Sequence, residues 1–171
     1  MKRLRRELKR AGSMEIGGLL LGEHVREDIF RVVEITAQHD GGSHVGFMRF
    51  PQQHNEQLQS FFCRTGQNYT RFNYLGEWHS HPCFEPTPST MDLQTMQSMA
   101  SDPAVGANFL VLIVAKLAHD HGLECSATVF QEGLIPLSVP LQAEPDDMIP
   151  SQGTAFAWIR RIIRRYSPHL K

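Results

Sequence analysis

Residues 76–92, Gly-Glu-Trp-His-Ser-His-Pro-Cys-Phe-Glu-Pro-Thr-Pro-Ser-Thr-Met-Asp, leave the backbone little choice of path. The run leading into them is rich in β formers (Phe72, Tyr74, Leu75, Trp78), so His79 and His81 fall on a strand and their imidazoles leave the same face. Pro82 ends that strand because it has no ladder donor, and Pro86 and Pro88 keep the chain extended. Ser89 and Thr90 then offer helix-cap hydroxyls. Asp92 shares an edge of the first helical turn with Ser89, where the helix dipole favours a carboxylate. Two histidines, a carboxylate and a hydroxyl therefore converge on one point.

Two nitrogen ligands and one oxygen ligand, with the fourth place left open, is the layout of a catalytic zinc site and not of a closed structural one. Ligand type alone also admits iron or another divalent ion. A bare His-x-His is common, but His-x-His followed by seven residues, Ser, two residues and Asp is far more specific.

Together with Glu15 in Glu-Ile-Gly-Gly-Leu-Leu-Leu-Gly, this pattern resembles the JAMM motif of the MPN+ metalloproteases. The resemblance runs from about Glu15 to Val139. It implies a three-layer α/β domain of the cytidine-deaminase-like kind, with a mixed sheet between helices. It also implies Zn2+ on His79, His81 and Asp92, and Glu15 as the general base and acid acting on the attacking water. Ser89, within reach of the metal, is expected to donate to the tetrahedral oxyanion. Zinc lowers the pKa of water to roughly 7 and polarises carbonyls, so amide hydrolysis needs no cysteine nucleophile. Cys83, close to His81, is read as a packing residue beside the site, because a thiolate ligand would close it.

At 171 residues and 41% hydrophobic, the chain suits one globular domain spanning 1–171, with a core over about 15–139. The formal charge of -1 offers no global basic field, so nucleic acid is not an expected partner even though both ends are locally basic. Cys63, Cys83 and Cys125 are odd in number and widely spaced, which fits free thiols in a reducing, cytoplasmic setting. No apolar run of about eighteen residues occurs, and the basic N-terminus lacks a following apolar segment, so neither membrane spanning nor secretion is expected.

Residues 2–12 place Leu4, Leu8 and Ala11 at helical spacing with a basic outer face and Gly12 as a stop. Glu15–His24 reads as a buried strand with Gly17 and Gly18 allowing close approach, and Asp28–Ala37 as its antiparallel partner. Gln38–Val45 reads as a mobile loop with His39 and His44 facing solvent. A short strand is expected at Val45–Phe50, then a helix from Pro51 to about Gly66 with Leu58, Phe61 and Phe62 inward. Tyr69–Trp78 returns to the sheet, and Thr90–Ala100 is the helix carrying Asp92, with Met91, Met96 and Met99 expected in the core.

The unbroken apolar run in Asn108–Leu117 marks a central strand, and Leu123–Phe130 and Leu134–Val139 are further strands. His119-Asp120-His121-Gly122 suits a hairpin tip and lacks a following carboxylate at ligand spacing. An acidic, proline-containing stretch from Gln142 precedes an expected C-terminal helix at about 153–166, with Trp158, Ile159, Ile162, Ile163 and Tyr166 inward.

The Gly-Glu-Trp-His-Ser-His-Pro and Pro-Thr-Pro-Ser runs most resemble bacterial JAMM enzymes encoded beside activating- and conjugating-enzyme homologues, including the deconjugating protease of cGAS-like antiphage (CBASS) operons. That likeness implies an isopeptidase or peptidase acting after the C-terminus of a ubiquitin-like protein or a conjugated nucleotidyltransferase. The tail is expected to lie extended along a sheet edge, near residues 45–50 or the zinc strand. Two alternatives stay open. One is a RadC-like or phage-type JAMM protein. The other is a non-catalytic MPN adaptor binding nucleic acid through Lys2–Arg10 and Arg160–Arg165.

Overall fold

A computed structural model describes residues 2–44, 46, 51–143 and 157–160. Along the chain run α1 (Lys2–Ala11), β1 (Gly17–Arg26), β2 (Ile29–Ile35), α2 (Pro51–Arg64), β3 (Phe72–Ser80) and α3 (Thr90–Ala100). They are followed by β4 (Leu110–Leu117), β5 (Leu123–Phe130), β6 (Leu137–Ser138), β7 (Leu141–Gln142) and β8 (Ala157–Arg160). The described strands form one sheet in the order β6-β5-β4-β3-β1-β2-β8-β7. Every neighbouring pair is antiparallel except β3 and β4, which run parallel with α3 as the crossover between them.

Both faces of the sheet are covered, and β4 displays this residue by residue. Val111, Ile113 and Ala115 join Leu4 and Leu8 of α1, Leu20 and Trp78 in one core. The alternate residues Leu110, Leu112 and Val114 pack instead with Met96 and Ala100 of α3. Phe61 of α2 covers Leu19 and Leu21 on that same second face. A period of two along a fully buried strand therefore separates two cores, and the expected three-layer α/β arrangement is what these residues build. α1 is too short to persist alone, and burial of Leu4 and Leu8, each contributing about 2 kcal/mol, holds it in place.

Gly76 lies where β1 shifts register at Leu20/Leu21, and it adopts φ 139. A Cβ there would stand 2.1 Å from Val111 O, so β3 and β4 could not close at this level with any side chain present.

Several expectations change. The helix expected at about 153–166 is a strand at Ala157–Arg160, paired antiparallel with Ile29–Val32 of β2; the rest of that stretch lies outside the described residues. Trp158 and Ile159 favour strands as readily as helices, and the outer edge of β2 supplies the ladder that selects between them. The strand expected at Leu134–Val139 shrinks to Leu137–Ser138, because Pro136 and Pro140 on either side cannot donate to a ladder. The strand expected at Val45–Phe50 falls outside the described residues apart from Gly46. Met91 is 75% exposed, unlike Met96, because it points away from the face of α3 that packs on β4. No helix among the described residues is long and apolar enough to cross a membrane.

Candidate metal centre

His79 occupies the end of β3, opposite Gly17 on β1 and level with Val114 on β4. His81 follows just beyond, its backbone N–H donating to Ala115 O at 3.0 Å, so the extended path and its two-residue period continue past the last strand residue. Between them the buried Ser80 faces the other way. Its Oγ accepts from Ile16 N at 3.0 Å and its own N–H donates to Ile16 O at 2.8 Å. This residue, not singled out by the sequence pattern, staples the histidine segment to the residue after Glu15.

The third donor comes from α3. Ser89 is the N-cap residue, and with Asp92 it forms a reciprocal capping box. Ser89 Oγ donates to Asp92 Oδ2 at 2.6 Å, Ser89 N donates to the same oxygen at 2.7 Å, and Asp92 N donates back to Ser89 Oγ at 3.2 Å. That Oδ2 faces His79 Nε2 at 3.5 Å and His81 Nε2 at 3.8 Å, while the two Nε2 atoms are 3.1 Å apart.

These are the positions expected of three ligands around one cation. Ligand bonds of about 2.0–2.1 Å at tetrahedral angles put neighbouring donors roughly 3.3 Å apart, close to the three separations found. His81 Nδ1 lies 3.0 Å from Glu85 O, which can only accept, so Nδ1 carries a hydrogen and a neutral His81 presents a bare lone pair at Nε2. Among the described residues, His79, His81 and Asp92 form the one cluster with facing metal-ligating atoms. Neither Cys83, which is exposed, nor the His119/His121 turn joins it.

Glu15 sits just ahead of β1 and is 4% exposed. Burial raises its carboxyl above the usual range, against the pull of His81 and His79, and the Asp92 charge adds to the rise. Burial acts on Asp92 in the same sense, but the hydrogen bond and charge of His79 and the two bonds from Ser89 hold it well below the usual range. One carboxylate is thus tuned to stay ionised and the other to keep a proton longer, the division of labour expected between a ligand and a proton carrier.

The loop after β2 is not free. Gln38 N donates to Gly17 O at 2.8 Å, and Ser43 O accepts from Glu15 N at 2.8 Å. His39, expected in solvent, instead pairs with Glu7 Oε2 at 3.0 Å, because Glu7 is the carboxylate of α1 that turns inward from an otherwise basic helix. Trp78 is buried, its Nε1 donating to Thr36 O at 2.8 Å, and Tyr74 OH donates to Glu77 Oε1 at 3.2 Å. Phe84, 51% exposed, sets its ring edge-on to His81 at 6.4 Å between centroids. β3, the histidine strand, cannot receive an added strand, because β1 and β4 occupy both of its edges.

Residues 1–120 match the family described as prokaryotic homologs of the JAB domain. The chain belongs to that family. The 26S proteasome regulatory subunit RPN11 of Encephalitozoon cuniculi is 36% identical over 90 residues, covering 52% of this chain and 30% of that protein. The CD-NTase/cGAS isopeptidase of Escherichia coli is 30% identical over 96 residues, covering 54% of this chain and 60% of that protein. The matched region thus spans less than two thirds of either relative. The solution structure of a protein from Desulfitobacterium hafniense shares the fold, with a TM-score of 0.58 at 21% identity, covering 86% of this chain and 92% of that one.

Proposed function

We propose that this chain is a zinc-dependent isopeptidase or peptidase that hydrolyses the amide after the C-terminus of a ubiquitin-like or otherwise conjugated protein. The observation that carries the reading is the convergence of His79 Nε2, His81 Nε2 and Asp92 Oδ2 beside a buried Glu15. A zinc ion held by the three donors would supply Lewis-acid polarisation of the amide carbonyl and a nucleophile at neutral pH.

The chain's own residues do the rest. Glu15, with its carboxyl raised by burial above its ordinary value, takes a proton from the attacking water and returns it to the leaving amine, a role that typically contributes about a hundred- to ten-thousand-fold. Ser89 Oγ orients Asp92 in the resting state. For Ser89 to serve as oxyanion donor, that hydrogen must turn from Asp92 to the developing charge. Phe84 and Met91, exposed and each close in sequence to a ligand, offer apolar contact to substrate side chains flanking the amide. Phe84→Ala should then raise KM several-fold with kcat held, and an unchanged KM would remove Phe84 from the site.

The relatives support the substrate class by name: one is an isopeptidase for a nucleotidyltransferase of the cGAS kind, another a proteasome subunit. On that basis the substrate is a ubiquitin-like or nucleotidyltransferase protein with an extended tail. Its conjugation is attributed to activating- and conjugating-enzyme homologues, in a cytoplasmic antiphage setting.

The test pairs metal content with cleavage. Wild type and Glu15→Ala are assayed for zinc and incubated with an amide-linked ubiquitin-like tail. Near-stoichiometric zinc in both, with cleavage by wild type alone, is the expected result. Absence of zinc from both after loading would sink the mechanism. Cleavage by Glu15→Ala at the wild-type rate would remove Glu15 from it.

A further inference from the structure

We infer that the segment Gln38–Ser43 is a strap that positions Glu15, and that His39, acting through Glu7, is the residue that fastens it. The inference rests on the reading of Glu15 as the proton carrier, and it assigns His39 a positioning role and no chemistry.

Glu15 needs such a device because the β1 ladder starts only at Gly17. On one side, Ser80 ties down Ile16. On the other, the peptide of Glu15 is held by the strap: its N–H donates to Ser43 O at 2.8 Å, and a Cβ on Gly42 would lie 1.8 Å from Glu15 O. The strap rests directly on the backbone that aims this carboxylate, and Gly42 is the residue type that allows the approach.

The start of the strap is anchored to two elements and its end closes on the loop itself. At its start, Gln38 bridges to Gly17 of β1, and Gln38 Oε1 lies 3.1 Å from Nε2 of the buried His54 on α2. At its end, Ser43 N donates to Gly46 O at 2.8 Å. Next to Gln38, His39 Nε2 is fastened to Glu7 Oε2 at 3.0 Å.

Glu7 is an unusual residue for α1. The helix carries Lys2, Arg3, Arg5, Arg6, Lys9 and Arg10, and its one acidic side chain is only 10% exposed, held by Arg6 at 3.2 Å on one oxygen and by His39 on the other. Burying a carboxylate costs free energy unless it is paired, and here the pairing is spent on the strap. Loss of His39 therefore removes this tie between the strap and the helix.

The experiment uses zinc-loaded full-length protein and compares wild type, His39→Ala and His39→Gln. Hydrogen exchange at the Glu15 amide is read by NMR, with zinc content, kcat and KM on the tail-fused substrate. His39→Ala should speed that exchange about tenfold. It should also lower kcat about ten- to a hundredfold, with KM and zinc content unchanged, because a misplaced base costs rate and not binding. His39→Gln keeps a donor near the Nε2 position and should restore most of both. Wild-type exchange and kcat in His39→Ala would overturn the inference, as would no recovery in His39→Gln. Zinc-loaded wild type that cleaves no amide would instead sink the proposed activity, leaving the exchange rates to decide whether the strap holds Glu15.

Discussion

Ser89 and Asp92 hold each other in both directions, and the oxygen they share is the one turned toward the histidines. Oδ2 receives the Ser89 hydroxyl at 2.6 Å and the Ser89 N–H at 2.7 Å, and it faces His79 Nε2 at 3.5 Å. One local motif therefore starts α3 and aims a ligand. Helix capping and a candidate metal ligand are coupled in the same pair of side chains.

Ser89→Ala should disturb both at once. The lost cap is worth about 1 kcal/mol, or roughly 2–4 °C in Tm for a chain of this size. Zinc affinity should fall about tenfold or more, since the ligand loses its orienting donor. Melting with and without chelator, together with competition against a chromophoric chelator, reads the two effects separately. Ser89→Thr should retain most of each. Unchanged zinc affinity in Ser89→Ala would confine the residue to helix capping.

Removing the metal should unfold the protein at lower temperature. A ligand present at a hundred times its Kd stabilises by about 2.7 kcal/mol, which corresponds to roughly 5–10 °C here. Chelation should produce that drop and added zinc should reverse it. In His81→Ala and Asp92→Ala the melting temperature should become insensitive to both treatments. A zinc response that persists when His81→Ala and Asp92→Ala are combined would place the ion elsewhere.

Glu15→Gln should trade activity for stability. Burial raises this carboxyl above its ordinary value of 4.5, so the folded chain keeps the proton to higher pH than the unfolded chain does. The stability of metal-free wild type therefore falls as pH rises from 4.5 through the folded value, and the penalty is complete above it. Metal-free Glu15→Gln should melt above metal-free wild type once that window is passed. The two should converge at about pH 3, well below 4.5, where the carboxyl is protonated in both states. A wild type that melts higher at every pH would contradict the assignment.

Glu7 should show the opposite dependence. Burial favours its neutral form, but the hydrogen bonds from His39 and Arg6 and their charges outweigh it and lower its pKa from 4.5. Its contribution is full above 4.5 and is lost as pH falls from there through the folded value. Acid-denaturation curves of Glu7→Gln should be flatter on this limb than those of wild type, with a lower starting stability. A variant with an unchanged acid limb would show that the pair carries no linkage.

Much of this protein could be read along the chain. The strand, break and helix of residues 72–100 are local events, governed by period-two β formers, prolines without donors and a Ser-x-x-Asp cap, and these act over a few residues. The buried run of β4 announced a strand covered on both faces for the same reason.

What could not be read locally depends on pairing between distant segments. Glu15 meets the histidines because β1 and β3 register Gly17 against His79, and because Ile16 and Ser80, 64 positions apart, bond to each other. His39 looks like a loop histidine until Glu7 turns in from α1. Residues 157–160 have a composition that suits either a helix or a strand, and the open edge of β2 chooses the strand. Local spacing determined which side chains could share a metal. Strand register and helix docking decided which carboxylate came beside them, because hydrogen-bond ladders and buried pairs are satisfied by partners that the neighbouring sequence does not contain.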